Sequence, residues 1–297
     1  MPLPEVALLV NAAAGRGHGA RTADAVARAL TAAGVTPRVL TPAGREDAER
    51  QAHAAVSAGV AAVAALGGDG VAHAALQAVA GTRTPLALLP AGSGNDLVTA
   101  LGVLPDPLAA ARTAAADLLA GGGRSVDLGR TGDRWWGTVL CCGFDADVTA
   151  RAHRLRWPPG PRRYDVAVLA ELARLRPRPL TLTVDGVSTS REVTLVAVGN
   201  TSSYGGGMLI SPTATPEDGL LDVVVIGPVS RLELIRTKPR LVDGTHLGHP
   251  AVEVLRGRRV SLGGAGLTTW ADGERVGPLP STTVCVPGAL RVVGTRP

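Results

Sequence analysis

Residues 60–70 read Val-Ala-Ala-Val-Ala-Ala-Leu-Gly-Gly-Asp-Gly, an apolar run that stops on three glycines and one aspartate. An apolar segment this short, without polar alternation, predicts a strand buried on both faces over Val60 to Leu66. Ala72 to Val79 then predicts a helix. Glycines at such an exit let the backbone approach a bulky anion, and the next helix offers free N–H groups and a positive dipole end. A plain tight turn into a helix would use the same residues, so this loop alone does not decide the chemistry.

The logic repeats one strand later. Leu86 to Leu89 is a second apolar run, followed by Pro90-Ala91-Gly92-Ser93-Gly94-Asn95-Asp96 and a helix from Asp96. Two such loops on neighbouring strand ends would form one continuous cradle for phosphate. Toward the N-terminus, Val6 to Val10 and Arg38 to Leu40 read as strands, and Ala20 to Ala33 and Arg45 to Ser57 as helices. This alternation implies a parallel sheet covered on both faces, with ligands beyond the carboxyl ends of its strands. After the first strand, Gly15, Gly17 and Ala20 formally fit a dinucleotide fingerprint. The place where that fold needs an acid for the ribose holds Leu40-Thr41-Pro42, which argues against a dehydrogenase. No Gly-Lys-Ser/Thr occurs, so there is no P-loop.

The pattern changes after Gly121-Gly122-Gly123. Ser125 to Asp127, Trp136 to Cys142, Leu180 to Val184, Val193 to Val198, Leu221 to Ile226, Arg259 to Leu262 and Thr283 to Val286 read as strands. Asp185-Gly186 reads as a hairpin turn and nothing more. One helical insert is expected over Ala146 to Leu175. The second region is therefore mostly antiparallel β. The expected domains are 1–123 and 124–288.

With 45% hydrophobic and 19% charged residues, the 297-residue chain can bury a sizeable core, and global disorder is excluded. Only 2% are aromatic, which argues against a reader of single-stranded nucleic acid that works by base stacking. Thirty Lys+Arg against 25 Asp+Glu leave a net charge of +5, suited to phosphate ligands, nucleic acid or an anionic membrane. Cys141, Cys142 and Cys285 are an odd set without a CxxC and read as core thiols of an intracellular protein. The six histidines show no metal-ligand spacing. Met1 to Glu5 carries no basic leader and Ala54 to Leu66 is too short to span a bilayer, so a cytoplasmic protein is expected. The segment Arg151 to Arg178 holds eight arginines with Trp157 and Tyr164. It reads either as a peripheral contact with anionic lipid head groups or as a solvated Arg-rich face.

The order Asn11, Gly15, Gly67-Gly68-Asp69-Gly70, Gly92-Ser93-Gly94-Asn95-Asp96, Asp218-Gly219-Leu220 and Asp272-Gly273-Glu274 resembles the diacylglycerol kinase catalytic family of bacterial lipid kinases, related to sphingosine and ceramide kinases. The resemblance covers essentially the whole chain. It implies a nucleotide-binding α/β domain, a β-sandwich lipid-substrate domain, an active site in the cleft between them, and a last strand, 289–297, that returns to the first domain. It implies ATP and Mg²⁺ as cofactors, a diacylglycerol-like lipid at the membrane surface as substrate, and no nucleic acid, and it leaves room for a homodimer.

Carried over residue by residue, the resemblance implies that Asn11, Arg16, Gly67, Gly68, Asp69, Gly70, Gly92, Ser93, Gly94 and Asn95 line the ATP site. It makes Asp272 the general base for the lipid hydroxyl, with Glu274 supporting it. Asp69, Asp96 and Asp127 would form a carboxylate and water network around magnesium, and Asp218 with the Leu220 carbonyl a second metal position. Three departures accompany this: Val71 stands where the family has Thr, Ala74 where it often has Glu, and no Pro follows Asn11. The alternatives are a catalytically weak lipid-binding or regulatory protein on the kinase scaffold, and an NAD kinase, which shares Gly-Gly-Asp-Gly but needs Asn-Glu and Thr-Gly-Ser-Thr-Ala motifs absent here.

Overall fold

The apolar runs of the first third become parallel strands. The computed structural model describes residues 3–10, 18–92, 94–158, 160 and 162–295. It orders β1 (Glu5–Val10), α1 (His18–Ala32), β2 (Thr36–Leu40), α2 (Arg45–Ser57), β3 (Ala62–Gly67), α3 (Asp69–Val79), β4 (Leu86–Pro90), α4 (Asp96–Ala100) and α5 (Pro107–Leu119). β1 pairs in parallel with β2 and β3, and β3 with β4, with Gly67 opposite Pro90. β3 and β4 are buried along their whole length, as a sheet covered on both faces requires. At the far edge, Val292 and Val293 of the chain's last strand pair in parallel with β4.

The sequence reading passed over α5, although its start is well signalled. Asp106 accepts from the Ala109 N–H at 2.7 Å, and Pro107 sits at the first helical position, where its missing N–H costs nothing. The end of α5 holds the chain's last strand: Asp117 accepts from Gly294 N–H at 2.8 Å, and the Arg291 guanidinium donates to Gly121 O at 2.6 Å.

Strand pairing then turns antiparallel. β5 (Arg124–Thr131), β6 (Arg134–Trp136) and β7 (Val139–Gly143) lead into α6 (Phe144–Arg154) and α7 (Arg162–Leu172). The single expected insert is thus two helices, because the chain reads Trp157-Pro158-Pro159-Gly160-Pro161 between them and proline cannot continue a helix. Then come β8 (Arg178–Val184), β9 (Val187–Val193), β10 (Leu195–Gly199), β11 (Leu221–Ile226), α8 (Arg231–Thr237), α9 (Arg240–Asp243), β12 (Val252–Gly257), β13 (Arg259–Gly263), β14 (Thr268–Ala271), β15 (Glu274–Pro278) and β16 (Ser281–Val293).

One six-stranded sheet runs β12-β11-β10-β7-β14-β15, with every pairing antiparallel. A second layer pairs β9, β8, β13 and the first residues of β16, also antiparallel, completing a β-sandwich. Two compact units result: Met1–Leu128, Trp135–Gly137 and Val286–Pro297 in the first, Gly129–Arg134 and Thr138–Cys285 in the second. Among the described residues no helix is long and apolar enough to cross a membrane.

The hairpin at Asp185-Gly186 forms as expected, with Val184 opposite Val187 and positive φ at both turn residues (45° and 91°). It is more than a turn. The Asp185 carboxylate accepts from the backbone N–H groups of Arg258 (3.0 Å) and Arg259 (2.8 Å), fastening the corner between β12 and β13. Asp185→Asn keeps the tolerance for positive φ but turns one acceptor into a donor facing donors. It should lower unfolding free energy by about 1–3 kcal/mol, read from urea denaturation of the whole chain.

Candidate functional site

The two glycine loops leave β3 and β4 side by side. Ala91 donates to Gly67 O at 2.9 Å, directly after the Gly67–Pro90 pair. The chains then come closer than any side chain allows: a Cβ on Gly92 would lie 2.4 Å from Gly68 Cα and 2.8 Å from Gly68 N. Both glycines have negative or extended backbone, so the requirement is space and not φ. Asp69 reaches from the first loop to the second and accepts from the Asp96 N–H at 2.8 Å. Asn95 donates to Gly92 O at 3.1 Å, while its Oδ1 is buried without a hydrogen-bond partner. Gly68 caps α3 without a side-chain hydrogen bond, and Asp69 stands in the first turn of that helix. The structure thus brings together Gly67, Gly68, Asp69, Gly70, Gly92, Gly94, Asn95 and Asp96. Asn11, Arg16 and Ser93 lie outside the described residues.

The departures at Val71 and Ala74 are absorbed by packing. Both side chains are buried in the core of the first unit. A hydroxyl at 71 would enter that core, and a carboxylate at 74 would be a buried charge.

In the second unit Asp272 and Gly273 form the two-residue turn between β14 and β15, with φ 51° and 76°. Asp272 Oδ1 accepts from both the backbone N–H (2.9 Å) and the hydroxyl (2.5 Å) of buried Thr138. Glu274 opens β15, paired in register with Ala271. Sequence reasoning missed Thr138, and no local signal marks it: it stands 134 residues away in the chain.

It also missed an acid pair at the start of α6. Asp145 is partly buried; desolvation raises its pKa, opposed by a hydrogen bond from the Tyr204 hydroxyl. Burial likewise raises Asp147, opposed by the charge of Arg178 at 2.5 Å. Two acids in a helix's first turn look in sequence like ordinary dipole complements. Asp147, Glu171, Arg178 and Thr194 line a cavity of about 420 Å³ beneath α6 and α7. Cys142, also buried, has its pKa pushed up to about 12 by burial, so it is a core thiol and not a nucleophile.

Two family models match the chain. "Diacylglycerol kinase catalytic domain" covers residues 5–131, and "YegS C-terminal NAD kinase beta sandwich-like domain" covers residues 138–294. A diacylglycerol kinase of Mycobacterium tuberculosis is 40% identical over 98% of this chain and 96% of its own. The chain belongs to the diacylglycerol kinase family of lipid kinases. A Pseudomonas fluorescens protein named "Probable lipid kinase YegS-like" is 34% identical over 83% of this chain and 81% of its own. The crystal structure of a diacylglycerol kinase from Bacillus anthracis matches 99% of this chain and 98% of its own with a TM-score of 0.75 at 19% identity, a likeness of fold.

Magnesium, which the family resemblance implies, fits its two expected positions unequally. Among the described residues no three His, Cys, Asp or Glu side chains gather to hold a metal. Asp69, Asp96 and Asp127 do not stand together as a ready ligand cluster; Asp127 is buried in β5 and accepts from Gly288 N–H at 2.8 Å. Beside the glycine cradle this is no obstacle, because Mg²⁺ takes one or two carboxylates and fills its shell with phosphate oxygens and water.

Asp218 is different. Its Oδ1 accepts from Leu220 N–H at 2.9 Å and its Oδ2 pairs with Arg256. Arg256 Nε also holds buried Asp222 at 2.7 Å, and Thr213 donates to the other Asp222 oxygen. The hydrogen bond and charge of Asp222 raise the guanidinium's pKa further. The cation at Asp218 is thus Arg256, and a metal there does not fit.

Three outcomes follow. Gly92→Ala must displace the Gly68 backbone and should weaken ATP binding by at least about tenfold in calorimetry, whereas an added Cβ at Gly70 meets nothing within 4 Å and should leave the melting temperature unchanged. Arg256→Gln strips a charged donor from buried Asp222 and should cost about 1–3 kcal/mol in denaturant unfolding. The wild type's melting temperature should not respond to magnesium in the absence of nucleotide.

Proposed function

We propose that the chain transfers the γ-phosphoryl group of ATP to a hydroxyl of a diacylglycerol-like lipid at a membrane surface. The observation that carries this reading is the close backbone approach of Gly68 and Gly92, which leaves main chain without side chains beside the start of α3. Main-chain N–H groups and a helix N-terminus suit phosphates, and family membership supplies the donor and acceptor classes.

Phosphoryl transfer asks the protein for positioning, charge neutralisation and an acceptor for one proton. Asp272 is the proposed base. Its carboxylate takes the proton from the lipid hydroxyl as the new O–P bond forms and the bond from the γ-phosphorus to the bridging oxygen breaks, releasing ADP. Thr138 holds that carboxylate in one orientation, with Glu274 close in sequence as the proposed support. Asn95 Oδ1 is an acceptor available to a nucleotide donor or to water. Magnesium, held with the phosphates beside Asp69, would neutralise charge developing on the phosphoryl oxygens.

The test is transfer of label from γ-labelled ATP to dispersed diacylglycerol. Asp272→Asn should lower kcat by about 10²–10⁴ with ATP affinity and melting temperature retained. Thr138→Val, which keeps the backbone donor, should lose less. Full activity of Asp272→Asn would remove the base assignment. Absence of transfer to any glycerolipid by the wild type would remove the reading itself.

A further inference from the structure

Most large apolar side chains of the second unit are buried, but one region leaves six of them in solvent. Trp157 (78% exposed), Val166 and Leu169 lie in or before α7; Leu232, Ile235 and Val242 (70% exposed) lie on α8 and α9. An exposed apolar patch rimmed by charge is the usual mark of an interaction site.

Geometry joins the two groups. Arg231, at the start of α8, donates to the Ala173 carbonyl just past the end of α7 at 2.6 Å. Leu169 is one helical turn before Ala173 on the same face, and Ile235 one turn after Arg231 on the same face. That bond ties the end of α7, which carries Leu169, to the start of α8, which carries Ile235.

The charge around them is predominantly positive. Arg156, Arg162, Arg174, Arg236, Lys238 and Arg240 flank the six apolar residues, and all are exposed. Three exposed acids stand among these six cations: Asp165 in the first turn of α7, Glu233 in the capping box with Ser230, and Asp243 in a turn with Thr245. Arg151 and Arg178, by contrast, turn inward onto Glu171 and Asp147 and are not part of this surface.

We infer that this α7–α8–α9 face docks on an anionic lipid bilayer. Exposed apolar side chains enter the head-group boundary, Trp157 sits where amphipathic rings prefer to sit, and the arginines and Lys238 meet lipid phosphates. A purely apolar partner would leave those cations unmatched. The inference deepens the lipid-kinase reading and rests on it for the source of the acceptor; half of the surface lies on α8 and α9, outside the Arg151–Arg178 segment.

The test is flotation of the whole chain with phosphatidylcholine vesicles, with and without phosphatidylglycerol. The wild type should float with mixed vesicles, less so as salt is added, and not with phosphatidylcholine alone. Trp157, the most exposed of the four tryptophans, should shift its emission to the blue, and Trp157→Phe should abolish the shift. Leu169→Glu with Ile235→Glu should reduce partitioning by about tenfold or more, and so should Arg236→Glu with Lys238→Glu, a surface pair that guards against misfolding of the first variant. Both should phosphorylate detergent-dispersed lipid as the wild type does. Unchanged flotation of both variants, or equal flotation with neutral vesicles, would overturn the inference. So would a dimer in solution that the same variants dissolve, since the face would then belong to a second copy. Vesicle binding without any lipid phosphorylation would uphold the face and sink only the kinase reading.

Discussion

Everything at the glycine cradle depends on two main chains touching without side chains between them. β3 and β4 are adjacent and parallel, so their exits run side by side, and the Gly68–Gly92 approach is tighter than any Cβ permits. That contact needs the Ala- and Leu-rich strands beneath it to be rigid, which their complete burial provides. It also explains why Asp69 turns sideways. By accepting from the Asp96 N–H, it binds the start of one loop to the end of the other and holds the cradle as one piece.

Much of this was legible because strand exits are local. Glycine spacing after an apolar run reports strand, turn and helix start within a dozen residues, and the parallel sheet followed from it. The two-residue hairpins were legible for the same reason. What could not be read were partners distant in the chain. Nothing near Asp272 announces Thr138, and nothing near Asp218 announces Arg256, 38 residues on across an antiparallel pair. The family pattern pointed to a metal at Asp218, because it records which carboxylates stand where and not which cation meets them. α5 is a different case: its Asp-Pro start was readable, but its alanine-rich body carries little amphipathic contrast.

The arginines show how far composition falls short of function. A chain with almost no lysine uses one residue type for opposite tasks. Arg256, Arg178 and Arg151 neutralise carboxylates inside the second unit, where a planar guanidinium can serve two acceptors at once. Arg231 ties two helices through a backbone carbonyl. Others stay exposed, and six cations of that kind, Arg156, Arg162, Arg174, Arg236, Lys238 and Arg240, flank the exposed apolar residues of α7, α8 and α9.

The two Asp-Gly hairpins make the same point about acids. Asp185 and Asp272 share a turn type and nearly the same φ, so their backbones do not distinguish them. Their partners do. Asp185 faces the N–H groups of Arg258 and Arg259, which can only donate; a proton on its carboxylate would lose those bonds with nothing to accept it. Asp272 faces one N–H and the Thr138 hydroxyl, and a hydroxyl can donate or accept. Rotation of that hydroxyl lets Thr138 remain bonded when Asp272 is ionised and when it is protonated. A general base has to occupy both states in each turnover, so the local chemistry suits Asp272 to the part and disqualifies Asp185.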